Sequence, residues 1–195
     1  MLNQEERKEL LKIAREAVRS FLLKGEIPQF KVSSEKLKEK RGVFVTLKKD
    51  GYLRGCLGSL QPIMPLYQAV AKMAISSAFE DPRFPPLNLE ELEKVNFEIS
   101  VLSPLKRIKS WQEIKLGQDG VLLVKNGRSG LFLPQVAKEF NWTLEEFLSH
   151  LCQEKIGLPR ECWREEDAQI YVFSAEVFAE KEAVSYTHLT LPTKA

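Results

Sequence analysis

Two stretches of this chain, GVFVTLKKDGYLRGCLGSL from Gly42 and DGVLLVKNGRSGLFL from Asp119, each read as a β-hairpin. No other feature constrains the fold as strongly, because a hairpin makes its two strands antiparallel neighbours and so excludes an all-parallel, doubly wound sheet. In the first, Val43, Val45 and Leu47 alternate with Phe44, Thr46 and Lys48, and KKDG supplies the turn chemistry. In the second, Asn126-Gly127 is the stronger turn signal. VNFEISVLSP and AQIYVFSAEVF add two further strands, the former ended by Pro104.

Helical periodicity lies between and around these strands. From about Glu5 to Lys24, Leu10, Ile13, Ala14, Ala17, Val18 and Phe21 recur at three- and four-residue steps. Asn3 and Glu6 have capping-box spacing, and Gly25 supplies the stop. A second helix is expected from about Pro65 to Phe79. The Asn88/Glu91, Ser110/Glu113 and Thr143/Glu146 pairs repeat the capping signature, Pro134 opens a short helix, and Gly157 and Pro159 stop LEEFLSHLCQEKIG. The expected class is therefore α+β: an antiparallel or mixed sheet with flanking helices.

A chain of 195 residues fits one domain or two tightly joined subdomains. The formal charge is +2, with no block of five like charges, so bulk electrostatics gives no support to a nucleic-acid or membrane role. A small anion needs only a local patch and remains open. No apolar run approaches the roughly 18 residues of a membrane span. Three cysteines, Cys56, Cys152 and Cys162, form an odd set without CxxC spacing, which argues against a disulfide framework and for a reducing, cytoplasmic compartment. Cys152, amid Phe147, Leu148 and Leu151, and Cys162, before Trp163, read as core residues. The last stretch, VSYTHLTLPTKA, turns abruptly uncharged and aperiodic, and residues 183–195 are expected to be a non-native or disordered tail.

The segment LRGCLG raises the chemical question. In a regular strand Arg54 and Cys56 would share a face, with Cα atoms about 6.6 Å apart. Gly55 and Gly58 would leave the backbone bare for close approach by a ligand. A nearby guanidinium favours the thiolate, of which an unperturbed cysteine holds only about 3% at pH 7. Thiolate, arginine and open N–H groups suit covalent transfer or hydrolysis. The alternative is that Cys56 is a small packed residue and the glycines serve tight packing. In EDPRF, Asp81 could act as base or ligand and Arg83 as an anion clamp, or the two could form a local ion pair with Phe84 packed down. Glu98, on the face of FEISV opposite Phe97 and Ile99, could face the site or solvent. Arg128 beside the second turn and Gln135 at a helix start form a weak anion-binding pattern. His150 and Cys152 diverge by about 200° on a helix, so no metal site is expected there, and no cofactor is assigned.

Five motifs occur in register: LRGCLG (Leu53–Gly58), DPRFPPL (Asp81–Leu87), FEISVLSP (Phe97–Pro104), GRSGLFLPQVAKE (Gly127–Glu139) and EKIGLPRECW (Glu154–Trp163). Together they resemble the AMMECR domain family, whose prokaryotic members are called AmmeMemoRadiSam system protein A. The likeness runs roughly from Gln4 to Glu180; the family signature reads LRGCIG, and Leu57 is a mild apolar swap within it. The resemblance implies one domain over 1–182, built of two intertwined, unequal subdomains with the LRGC motif beside a cleft. It also implies a Memo-type protein and a radical SAM protein as partners. Within that frame Cys56 and Asp81 are expected as catalytic residues. Arg54, Gly55, Gly58, Arg83, Glu98, Arg128 and Gln135 are expected to bind a small anionic or nucleotide-like substrate. The other reading is a non-catalytic adaptor that presents substrate to those partners.

Overall fold

The computed structural model describes residues 1–181. The tail expected at 183–195 lies outside the described residues. Seven strands form one curled antiparallel sheet: β1 (Val43–Lys49), β2 (Tyr52–Ser59), β3 (Val95–Leu102), β4 (Lys106–Arg107), β5 (Asp119–Lys125), β6 (Arg128–Phe132) and β7 (Gln169–Ala179). Their order is β2-β1-β3-β7-β5-β6, with β4 pairing on β7, and every pairing is antiparallel. Both expected hairpins are present. Asp50 and Gly51, like Asn126 and Gly127, all have positive φ, the backbone that a two-residue turn between twisted strands requires.

Two helices cover one end of the sheet. In α1 (Gln4–Lys24) Asn3 and Glu6 cap each other reciprocally, and left-handed Gly25 ends the helix. Its stripe packs with α3 (Leu66–Phe79) on Val43, Val45 and Leu47 of β1 and on Phe97, Ile99 and Val101 of β3. Between α1 and β1 lies a one-turn helix, α2 (Glu35–Lys38), and another, α4 (Leu89–Leu92), precedes β3. A second core gathers Val121 and Leu123 of β5, Phe132 of β6 and Ile170 of β7 under α5 (Pro134–Glu139) and α6 (Leu144–His150). The long strand β7 serves both ends, pairing with β5 through Ser174 and with β3 from Ala175. A small apolar seam of Leu102, Leu133 and Phe173, joined by Phe44 and Val136, lies between the two cores.

Two sequence expectations change here. The helix expected through Gly157 widens after His150 into a π-helical turn, Leu151–Ile156, before Gly157 ends it in the left-handed conformation. Cys152 of that turn is bonded to Cys162 of the 3-10 turn Cys162–Arg164, with both residues fully buried in the second core. The argument from an odd cysteine count fails for a plain reason: an odd set excludes only complete pairing, and the unpaired member, Cys56, lies at the other end of the sheet. Cys152 and Cys162 are core residues as expected, but as a covalent staple. No helix among the described residues is long and apolar enough to cross a membrane.

Candidate functional site

Cys56 occupies the middle of β2, directly opposite Thr46 of β1, which in turn stands opposite Glu98 of β3. Directly opposed residues share a face of the sheet. Cys56, Thr46 and Glu98 therefore form one row, with about 10 Å between the outer Cα atoms. Lys48, two residues along β1 on that face, holds Glu98 Oε2 at 2.9 Å from its Nζ.

Arg54 does not join this row. The β1–β2 register slips between Leu47 and Lys48: Leu47 pairs with Gly55 and Lys48 with Leu53, leaving Arg54 in a bulge. A bulged residue breaks the strict alternation of faces. The Arg54 guanidinium is buried against the segment that runs into α4. It donates from Nε and Nη2 to Glu91 at 3.1 and 2.9 Å, and from Nη2 to the Pro85 carbonyl at 2.9 Å. This pairing also explains why Asn88 and Glu91 make only half a capping box. The Asn88 side chain accepts from the Glu91 N–H, while the Glu91 carboxylate is drawn to Arg54 and Lys49.

The two glycines are not bare. A Cβ on Gly55 would lie 2.1 Å from the Ser77 carbonyl oxygen of α3, and one on Gly58 would lie 2.3 Å from the Phe44 ring. Both positions are glycine because another group already fills the space. The expectation of open backbone for a substrate at Gly55 and Gly58 is corrected accordingly.

Asp81 and Arg83, beyond the C-terminus of α3, complete the site. Asp81 is buried; its Oδ2 accepts from the Cys56 N–H at 2.9 Å and from Arg83 Nη2 at 2.7 Å. Its Oδ1 accepts from the backbone N–H and Nε of Arg83. The Arg83 hydrogen bonds hold the carboxyl at about 2, so Asp81 is a poor proton acceptor and serves as a clamp on the outer edge of β2. Arg83 Nη2 also reaches the Cys56 carbonyl at 3.3 Å. Its side chain is 49% exposed, and its Nη1 makes no hydrogen bond among the described residues. The cation beside the thiol is thus Arg83, not Arg54.

The thiol itself departs from expectation. Burial pushes Cys56 up, and this outweighs the Thr46 hydroxyl, which donates to Sγ at 3.2 Å, and the pull of Arg83. The nearby carboxylates Asp81 and Glu98 push in the same direction as burial. The resting group is a protonated thiol. Elsewhere, Gln135 reaches from α5 to the Ser100 hydroxyl at 3.4 Å, one step along the same face of β3 from Glu98. Arg128 lies at the second hairpin, where it donates to the Gly157 carbonyl at 3.2 Å, far across the sheet order from β2. The structure therefore unites Cys56, Asp81, Arg83 and Glu98, puts Gln135 beside them, and removes Arg54 and Arg128. Sequence reasoning missed Thr46 and Lys48, although their alternation with Val45 and Leu47 already placed them on the outward face of β1. No cluster of three or more His, Cys, Asp or Glu among the described residues could hold a metal ion.

The model of the AMMECR1 family matches residues 11–178. This chain belongs to the AMMECR1 family. It is 46% identical over 190 residues to a Methanopyrus kandleri protein, covering 93% of this chain and 91% of that one. A Pyrococcus abyssi protein is 45% identical over 183 residues, covering 88% and 89%. The crystal structure of an uncharacterized Pyrococcus horikoshii protein superposes with a TM-score of 0.84 at 44% identity, covering 88% of this chain and 90% of that one. The α+β fold of this AMMECR1 chain is thus shared with a solved structure.

Proposed function

We propose that this AMMECR1 protein binds a small anionic or nucleotide-like molecule at Arg83 and engages it with the Cys56 thiol. The reading rests on one observation: a half-exposed guanidinium with an unengaged Nη1 is pinned by Asp81 against the backbone of the cysteine. An anion on that nitrogen places its neighbouring atoms beside the sulfur. Since the thiol is protonated at rest, attack is coupled to loss of its proton, which passes by way of the Thr46 hydroxyl on Sγ to Glu98, the carboxylate on the far side of Thr46 in the same row. Asp81 holds Arg83 and the strand rather than moving protons, so it is a positioning residue. The family resemblance implies service in a modification pathway with Memo-type and radical SAM partners, and a cytoplasmic setting is part of the same proposal.

Acetyl phosphate, an anionic acyl donor, tests this against neutral p-nitrophenyl acetate. Sulfur attack on the acyl carbon forms a thioester and expels phosphate, and intact-mass spectrometry reads the added acetyl group. The expected outcome is acetylation of Cys56 that falls about tenfold in Arg83→Gln with acetyl phosphate alone. Equal losses with both reagents, or no thioester on Cys56, overturn the reading. The raised thiol favours a second reading, a non-catalytic module presenting substrate to those partners. Under it, Cys56→Ser leaves their co-purification unchanged and no acyl-enzyme forms.

A further inference from the structure

Two hollows beside α3 have no part in the Cys56 site. The larger, about 490 Å³, lies between the segment that follows Gly25 and the first turns of α3; Ile27, Phe30, Met64, Tyr67 and Ala71 form its apolar walls, with Lys72 at the rim. The smaller, about 100 Å³, shares Met64 and Lys72 and adds Arg41, Ile63 and Met73. We propose that this groove is a binding site for a small amphipathic carboxylate, with its apolar chain between Phe30, Met64 and Met73 and its carboxylate on Lys72.

Three observations carry the assignment. The volume is that of small-molecule sites, roughly 300–1,000 Å³. The charge is one-sided: Lys72 and Arg41 line the two hollows and no Asp or Glu does, though Arg41 Nη1 stands 3.9 Å from Glu39 Oε2. Lys72 is exposed and makes no ion pair or hydrogen bond among the described residues, and Arg41 contributes a guanidinium whose Nε donates to the Leu102 carbonyl. At the mouth, Ile27 and Ile63 are 50% and 62% exposed, aliphatic surface that a bound chain would remove from water. With Arg41 engaged by Glu39 and the Leu102 carbonyl, Lys72 is left as a single point charge over an apolar floor, which matches one carboxylate on a hydrocarbon chain.

The chain supplies its own reporters. It has three methionines: Met64 and Met73 border the groove, and Met1 is 98% exposed elsewhere. With methyl-13C methionine, sodium decanoate is titrated into the full chain, and decanol serves as the uncharged control. The Met64 and Met73 methyl signals are expected to shift saturably while Met1 stays fixed. Lys72→Gln should weaken decanoate about tenfold and leave decanol unchanged. Its ligand-free methionine spectrum, matching that of the unaltered chain, shows that the variant is folded. Immobile Met64 and Met73 signals, a Met1 signal that moves in step with them, or decanoate binding indifferent to Lys72→Gln would each overturn the assignment.

Discussion

The two hairpins share a turn code and differ in what packs against them. Both turns use a pair of positive-φ residues. The second runs without a break from Val121 opposite Phe132 to Lys125 opposite Arg128, and the π-helical turn packs on the face of β6, with Lys155 and Ile156 against Gly130. The first slips its register at Arg54, and polar groups engage it: Asp81 accepts from the outward Cys56 N–H at 2.9 Å, and Ser77 Oγ accepts from the Leu57 N–H at 2.8 Å while donating to the paired Val45 carbonyl at 2.8 Å. The atoms packed at Gly130 are carbons and bring no charge against the strand there. A polar cover leaves charge beside the strand, and that is where Arg83 and the unpaired cysteine meet. Turn chemistry decides that a hairpin forms; the cover decides whether chemistry gathers on it.

The sharpest way to break this comparison is to add one methyl to each hairpin. In Gly55→Ala the new carbon meets a helix backbone oxygen at 2.1 Å, so β2 and α3 must separate, at about 3 kcal/mol or more. In Gly130→Ala it meets Lys155 Cβ at 2.6 Å, Ile156 Cγ1 at 2.8 Å and the Lys155 carbonyl carbon at 3.1 Å; the π-helical turn must yield as well, but no atom is met as closely, and the expected loss is about 2 kcal/mol. Urea unfolding of the two variants measures both. Equal losses would mean that the close approach at Gly55 is not what fixes the first hairpin.

How far the sequence could be read follows the same division. Turn residues, caps and alternation act locally, so both hairpins, α1 with its Asn3–Glu6 box and the Pro134 helix start were legible. The bulge was not, because it depends on Glu91 and Pro85, more than thirty residues away, capturing Arg54. The partner of Cys152 was hidden for a related reason. Sequence gives its distance along the chain to Cys162, but not the widened turn that brings the two together. Asp81 was legible as a charged loop residue, though its role as the cap on the Cys56 N–H required the three-dimensional edge.

The staple itself supplies the next contrast, since it exists in one half only. Closing a loop of about ten residues contributes about 2–3 kcal/mol. Reduction, or Cys152→Ala with Cys162→Ala, should lower the melting temperature by that equivalent, and Cys56→Ser should not. Thiol titration of the denatured, unreduced chain should find one free thiol among the cysteines. A melting temperature indifferent to reductant would remove the covalent difference between the halves.

Acid should test the polar cover. The Asp81 carboxyl sits at about 2 when folded, against about 3.9 in an unfolded chain. A depressed carboxyl contributes stability that is present above the unfolded value and lost as pH falls through the folded one. The loss belongs between about pH 4 and pH 2, and because Arg83 is half exposed its size is about 1–2 kcal/mol. Glu91, also held at about 2 by Arg54 and Lys49, adds to the same limb. Denaturant midpoints measured down this range should fall in the unaltered chain and fall less in Asp81→Asn. Parallel curves would detach Asp81 from the stability of the first hairpin.

The smallest expected effect concerns the thiol. Burial raises Cys56, while Arg83 and the Thr46 hydroxyl pull the other way. Its iodoacetamide reactivity should therefore be low near pH 7 and reach its midpoint above the value of about 8.5 found for an unperturbed cysteine. Removing one of the two opposing influences should move that midpoint further: Arg83→Gln shifts it up by a fraction of a unit, and Thr46→Val does likewise. Arg83 is half exposed, and Thr46, though buried, alternates with Val45 and Leu47 and so lies on the other face of β1 from them. A midpoint below that of a free cysteine would mean that charge, not burial, governs the sulfur. The first hairpin would then hold a resting thiolate, and Glu98 would have no proton to receive.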